Sequence, residues 1–181
     1  MSVKITYFVH GTTTDNENHR STGWNPGELS ELGIQQSKEL PNLIHDKKFD
    51  AIFCSDLTRA VESAKLNFPN QEIIQDERLR ECNYGDLNCA DSDLVVDEDY
   101  IEMPFPNGES MLGVEHRIRD FCEFLIQNYD NKHIAIVAHK APQLAFEVIT
   151  LGKTWQEAIA TDWRKIGSWQ PGWEYTIKGG I

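Results

Sequence analysis

No lysine or arginine occurs between Arg80 and Arg117, while Asp86, Asp91, Asp93, Asp97, Glu98, Asp99 and Glu102 accumulate in that interval. Basic residues are scarce throughout, and the 181-residue chain carries a formal net charge of -12. Nucleic acids and anionic membranes are held through basic faces, so neither is an expected partner. An anionic ligand would need a local basic pocket within this acidic field. Cys54, Cys82, Cys89 and Cys122 are scattered, without the close pairs that zinc sites and redox motifs use, so reduced structural thiols and no metal site are expected. No apolar run approaches the roughly 20 residues that span a bilayer. Met1-Ser2-Val3-Lys4-Ile5 enters a strand pattern at once, without the charged leader and apolar stretch of a secretion signal. A soluble cytoplasmic protein is the expectation, with monomer or dimer left open.

What is present suffices for one domain, residues 1–181, since 40% hydrophobic content at this length can bury a sizeable core. Val3 to Val9 alternates as a strand, and a polar loop from Gly11 to Gly27 follows. Ser30 stands as an N-cap before a helix reaching Ile44. Phe49 to Cys54 reads as a short buried strand and Asp56 to Leu66 as a helix capped by Ser55 or Asp56. Glu72 to Ile74 is a weak strand, and the acidic stretch at about 82–108 is an irregular excursion. Val114, Ile118, Phe121 and Leu125 give helical spacing to Glu109–Tyr129. Ile134 to Ala138 is continuously apolar, as in a strand covered on both faces. Two helices, Pro142–Thr150 and Thr154–Ala160, precede a last strand, Trp173–Ile177.

This alternation predicts an α/β fold, a three-layer α/β/α sandwich on a mostly parallel central sheet. Ligands in such sheets bind beyond the carboxyl ends of the strands. His10, the Ser55 to Arg59 segment and His139 each stand at such an end. A lone histidine there is more often structural, but two on neighbouring strands beside Arg59 suit nucleophilic phosphoryl transfer. A neutral imidazole would attack phosphorus, cations would stabilise the spreading charge, and a carboxylic acid would protonate the leaving oxygen.

Six ordered segments resemble the histidine phosphatase (phosphoglycerate mutase-like) superfamily. His10-Gly11 resembles its nucleophile motif, with Asn16, Arg20, Gly23 and Trp24 at the spacings seen after it in the phosphoglycerate mutase branch. Leu29-Ser30-Glu31-Leu32-Gly33-Ile34-Gln35-Gln36 resembles its Leu-Thr-x-x-Gly-x-x-Gln helix start, and Ser55-Asp56-Leu57-Thr58-Arg59-Ala60 its Ser-x-x-x-Arg-Ala. Leu79-Arg80-Glu81-Cys82-Asn83-Tyr84-Gly85 is similar to the segment with the proton-donor glutamate. Gly108-Glu109-Ser110 and Val137-Ala138-His139 complete the set. The resemblance implies a metal-independent phosphomonoesterase without cofactor, acting on a small phosphorylated substrate through a phosphohistidine. His10 would be the nucleophile, Arg59 and His139 the phosphoryl clamp, and Glu81 the acid and later base. Asn16, Arg20, Gly23, Tyr84 and Lys140 would contact phosphate or substrate. For Asn16, Arg20 and Gly23 loop packing is an equal alternative, and Tyr84 reads either as a pocket wall or as an ordinary packed ring.

Three departures mark a divergent branch. Val9 stands where the family has arginine, by substitution or by deletion of one residue, which removes a guanidinium and would weaken phosphate binding. Lys140, after His139 where the family usually has glycine, either restores that charge or faces solvent, with Arg164 and Lys165 as weaker candidates. The acidic excursion lacks the basic residues with which mutases hold a second anionic group; it favours a neutral or cationic leaving group, or is only a solvated loop. The tryptophan-rich stretch Trp163 to Trp173 is expected by default to close a core, with a pocket wall or a partner surface as the alternatives. A catalytically impaired family member that binds a phosphorylated ligand or a protein partner is the alternative function, and a mutase is a more distant one.

Overall fold

The computed structural model describes residues 1–180. In chain order the elements are β1 (Ser2–Val9), α1 (Thr14–Glu17), β2 (Arg20–Ser21), α2 (Glu31–Leu43), β3 (Ala51–Cys54), α3 (Thr58–Asn67), β4 (Ile74–Gln75), β5 (Ala90–Asp91), α4 (Met111–Asn128), β6 (His133–Ala138), α5 (Lys140–Leu151), α6 (Trp155–Ala160), α7 (Trp163–Ile166) and β7 (Trp173–Lys178). The central sheet has the order β4-β3-β6-β1-β7, parallel except for β7, which runs antiparallel to β1. This is the expected mostly parallel sheet flanked by helices.

The strands are apolar on both sides because both sides are covered. Val3, Ile5, Tyr7, Phe53, Ile134, Ile136 and Ala138 pack with α4, α5 and α6. Phe8, Ile52, Cys54, Ala135 and Val137 meet Leu40 of α2 and Ala64 of α3 on the opposite face. β1 and β6 are paired in register, Val9 opposite Ala138, and the His10 N–H donates to the Ala138 carbonyl at 3.0 Å. Two central strands therefore release His10 and His139 side by side. The Cys54 and Cys122 thiols are pushed up to about 12 by burial.

Several boundaries differ from expectation for identifiable reasons. Helix α3 starts only at Thr58 and has no side-chain cap. Asp56 is instead engaged by Arg80, whose Nε donates to it at 2.8 Å, and Ser55 Oγ accepts from the Leu57 N–H. Helix α5 begins two residues before Pro142, because the Glu81 carboxylate accepts the Lys140 and Ala141 N–H groups, and a proline in a first helical turn sacrifices no helical bond. The excursion is less irregular than expected, since Ala90–Asp91 pairs with Arg20–Ser21 as a small ribbon. The tryptophan stretch closes the core only in part, through Trp173, which packs against it. Trp163 stacks on Trp173 at 5.1 Å between centroids, and Trp169 is 54% exposed.

No helix among the described residues is long and apolar enough to cross a membrane.

Candidate active site

The turn after β1 is held from three sides. The Gly11 N–H donates to Ser63 Oγ at 2.9 Å, the Thr12 N–H to Gln36 Oε1 at 2.9 Å, and the Ser30 N–H to the Thr12 carbonyl at 3.0 Å. Helix α2 can come this close only because position 33 is glycine: a Cβ there would lie 1.9 Å from the Thr12 carbonyl oxygen. Gln36, one turn later, then satisfies the loop amide. The Gly-x-x-Gln spacing thus has a mechanical reason, which is to brace the turn that carries His10.

Within that brace the His10 Nδ1–H donates to the Gly11 carbonyl at 2.7 Å, which leaves Nε2 as the free lone pair. Burial and the Arg59 guanidinium pull the ring's pKa down to about 4, against the weaker opposing pull of the Gly11 hydrogen bond. His10 is therefore a neutral imidazole at physiological pH. The His139 ring lies 5.1 Å away, centroid to centroid, fully buried, with neither ring nitrogen bonded to protein. Burial, Arg59 and His10 hold it well below the usual histidine range. Its backbone is fixed by Tyr7, whose hydroxyl donates to the His139 carbonyl at 2.7 Å and accepts its N–H at 3.0 Å.

Arg59, in the first turn of α3, is only 2% exposed. Its guanidinium donates to the Gly23 carbonyl at 2.8 Å and the Asn25 carbonyl at 3.3 Å, tying the loop after β2 to the site. Two of five N–H donors are so used, and three remain. Gly23 itself sits at φ +58 with Asn88 Oδ1 where a Cβ would be, so the backbone turns there as only glycine does without strain.

Glu81 is buried and accepts at Oε1 from the Cys82 and Ala141 amides, both at 2.9 Å, and at Oε2 from the Lys140 amide at 3.2 Å. Burial pushes its pKa up, but Lys140, those amides and Arg59 outweigh it and leave the carboxyl below the usual range. Lys140 reaches inward rather than to solvent, and its ammonium lies 2.6 Å from Asp97 Oδ2.

A cavity of about 700 Å³ opens over these groups, lined by Val9, His10, Arg59, Glu81, Tyr84 and Lys140 together with the ribbon and α7. Asn16, Arg20 and Gly23 also line it. Asn16 Oδ1 is occupied as a cap, accepting from the Thr13 N–H at 3.0 Å, and the exposed Arg20 donates to the Cys89 carbonyl at 3.0 Å. The Tyr84 ring is a buried wall packed edge-on against Phe105 at 5.1 Å. Asp162, Trp163 and Arg164 supply a further wall; for Trp163 this is the pocket-wall alternative to core closure, Arg164 is one of the weaker candidate cations, and nothing in the sequence singles out Asp162. On the rim, His19, Asp91 and Asp93 form the one grouping of metal-ligand type among the described residues, and all three are exposed.

The model for "Histidine phosphatase superfamily (branch 1)" matches residues 7–165. The chain belongs to the histidine phosphatase superfamily. Among its relatives, phosphoserine phosphatase 1 of Hydrogenobacter thermophilus is 29% identical over 157 residues, covering 74% of each chain. A 2,3-bisphosphoglycerate-dependent phosphoglycerate mutase of Methylobacterium sp. is 29% identical over 164 residues, covering 80% of this chain and 79% of that one. The solved alpha-ribazole phosphatase of Shigella flexneri superposes with TM-score 0.73 at 24% identity, covering 88% of this chain and 84% of the other, which bears on the fold.

Proposed function

We propose that this chain is a phosphomonoesterase that works through a phosphohistidine on His10. The observation that carries the reading is the His10 ring, neutral, oriented by Gly11 and with its free Nε2 beside Arg59 and His139 under the cavity. Nε2 attacks phosphorus in line, the P–N bond forms as the P–O bond to the leaving group breaks, and the alkoxide takes a proton. Water then cleaves the P–N bond and restores the imidazole. None of these steps requires a metal or a cofactor.

Glu81 is the group placed to hold the transferred proton. In the free protein it is ionised, and an arriving phosphoryl dianion would raise its affinity for a proton, as any near anion does. It would then give that proton to the leaving oxygen and take one from the attacking water. Arg59 and His139 bind the equatorial oxygens, the neutral His139 through its single ring N–H, which no protein group occupies. Lys140 contributes positive potential already shared with Asp97. Asn16, Arg20, Gly23 and Tyr84 shape the substrate end of the cavity.

The substrate is a small phosphomonoester with a neutral or cationic leaving group. The rim carries the exposed Asp93, and no lysine or arginine lies between Arg80 and Arg117 to hold a second anion, which disfavours a mutase. Scattered thiols fit a reducing cytoplasmic setting.

The second reading is an impaired member that binds a phosphorylated ligand, and the observation favouring it is Val9, an apolar cavity wall at the position where the family carries arginine. Wild-type and His10→Asn protein, incubated without metal with radiolabelled p-nitrophenyl phosphate between pH 5 and 8, separate the two. An acid-labile, base-stable label on the wild type alone, with turnover, is the expected result. Absence of both label and turnover from the wild type refutes the phosphatase reading and leaves the binding one.

A further inference from the structure

The missing arginine leaves the pocket with one deeply placed guanidinium, and four other cations line the cavity: Arg20, Lys140, Arg164 and Lys165. Three of them are poorly placed to replace it. Arg20 is exposed on the ribbon and bonded to a carbonyl. The Lys140 ammonium is held by Asp97 at 2.6 Å and the Lys165 ammonium by Glu98 at 2.9 Å; each is a point charge committed to a carboxylate, without the planar donor edge that a guanidinium keeps free when one side of it is paired.

Arg164 differs in how it is held. Its Nη1 donates to Asp162 Oδ1 at 2.9 Å and its Nη2 to Gln143 Oε1 at 3.2 Å, while its guanidinium lies 4.4 Å from the centroid of the Trp163 ring. Gln143 is fully buried on α5 and also accepts from Trp163 Nε1 at 3.1 Å, so the support is rigid. Asp162, 3% exposed, fixes the turn itself by accepting the Arg164 N–H at 3.1 Å. Two of the five N–H donors are thereby used to aim the group, and three remain for a ligand. The charge of Arg164 is felt at both His10 and His139, where it disfavours the protonated rings.

We propose that Arg164 is the second phosphate-binding guanidinium of this site, delivered by α7 from the C-terminal segment in place of the arginine that β1 lacks at Val9. The proposal rests on the phosphohistidine reading above. It gives the tryptophan-rich segment a purpose: the Trp163 and Trp173 stack is the platform on which the guanidinium is laid.

The test compares Arg164→Ala, Arg164→Lys and Arg164→Gln with the wild type, using p-nitrophenyl phosphate turnover and inhibition by orthovanadate and inorganic phosphate. Loss of a charged hydrogen-bonding partner should lower kcat/KM of Arg164→Ala by roughly 10- to 100-fold and weaken both inhibitors by a similar factor. Lysine should restore little, because it cannot present a planar edge. Millimolar guanidinium ion should recover Arg164→Ala and leave Arg164→Lys and the wild type unchanged, a rescue that a purely structural role would not give. Arg164→Gln, which can keep contacts to Asp162 and Gln143, should be as impaired as Arg164→Ala, showing that folding is not the cause. Wild-type inhibition constants and kcat/KM in Arg164→Ala would overturn the proposal while the wild-type phosphoenzyme still stood. A wild type that forms no phosphoenzyme would overturn the underlying reading instead.

Discussion

Replacing His10 by asparagine removes an imidazole that the folded site keeps neutral down to about pH 4. In the unfolded chain the same ring titrates near ~6.5. Between those values the unfolded state binds a proton that the folded state refuses, so stability falls as pH drops through 6.5 and levels off once the folded ring also protonates near 4. For a single group with these two values, the loss between pH 7 and pH 5 is about 2 kcal/mol, and by pH 4 and below it approaches about 3 kcal/mol. Asparagine can keep the hydrogen bond to the Gly11 carbonyl through its amide without titrating. Urea unfolding followed by tryptophan fluorescence at half-unit steps from pH 7.5 to 4.5 reads the effect, since the chain carries 5 tryptophans. The wild-type curve should fall more steeply than that of His10→Asn, with the gap opening below pH 6.5 and reaching about 2 kcal/mol at pH 5. His139 and the carboxylates are present in both proteins and largely cancel. Parallel curves would mean that His10 is hydrated enough to titrate normally, and the neutral, oriented nucleophile would have to be given up.

Tyr7→Phe strips the His139 backbone of both its hydroxyl contacts in a fully buried place, leaving the N–H unpaired and the carbonyl with only the Gln143 N–H at 3.4 Å. The cost should be roughly 1 to 3 kcal/mol, visible as a lower urea midpoint, together with reduced turnover as His139 loses its support; an unchanged midpoint refutes the assignment. Gly33→Ala sets a methyl group 1.9 Å from the Thr12 carbonyl and must push α2 off the His10 turn. About 1 to 3 kcal/mol of destabilisation and a loss of turnover beyond what stability explains are expected from thermal melts and kinetics, whereas wild-type behaviour in both would show that the brace is dispensable.

The central strands are legible in the sequence because a strand covered on both faces must be apolar along its length, and Ile134 to Ala138 has no other reading of that length. The convergence of His10, Arg59 and His139 follows from parallel strands, since their carboxyl ends share one edge. The ribbon of Arg20–Ser21 with Ala90–Asp91 is illegible because two-residue strands leave no periodicity. Tyr7 is hidden for a different reason. It alternates correctly as a core residue, and nothing local shows that its hydroxyl reaches a backbone 132 residues away. For Trp163 the sequence leaves core and pocket wall open, because aromatic clusters usually bury; the structure puts this ring at the cavity wall with the Arg164 guanidinium over it. The start of α5 could be found only by knowing that Glu81 arrives to cap it.

That cap has a further consequence. The ionised Glu81 carboxylate accepts one helix amide at each oxygen; a proton on Oε2 leaves Oε1 accepting from Ala141 but turns the other oxygen into a donor and a poor acceptor for the Lys140 N–H. Holding the start of α5 and holding a proton are thus competing duties of one side chain. A phosphoryl dianion at the same edge is another acceptor that the helix amides could take in its stead, since such termini favour anions. In a catalytic cycle the first turn of α5 would exchange acceptors as the proton moves, and the acid strength of Glu81 would be set by whether that exchange has taken place.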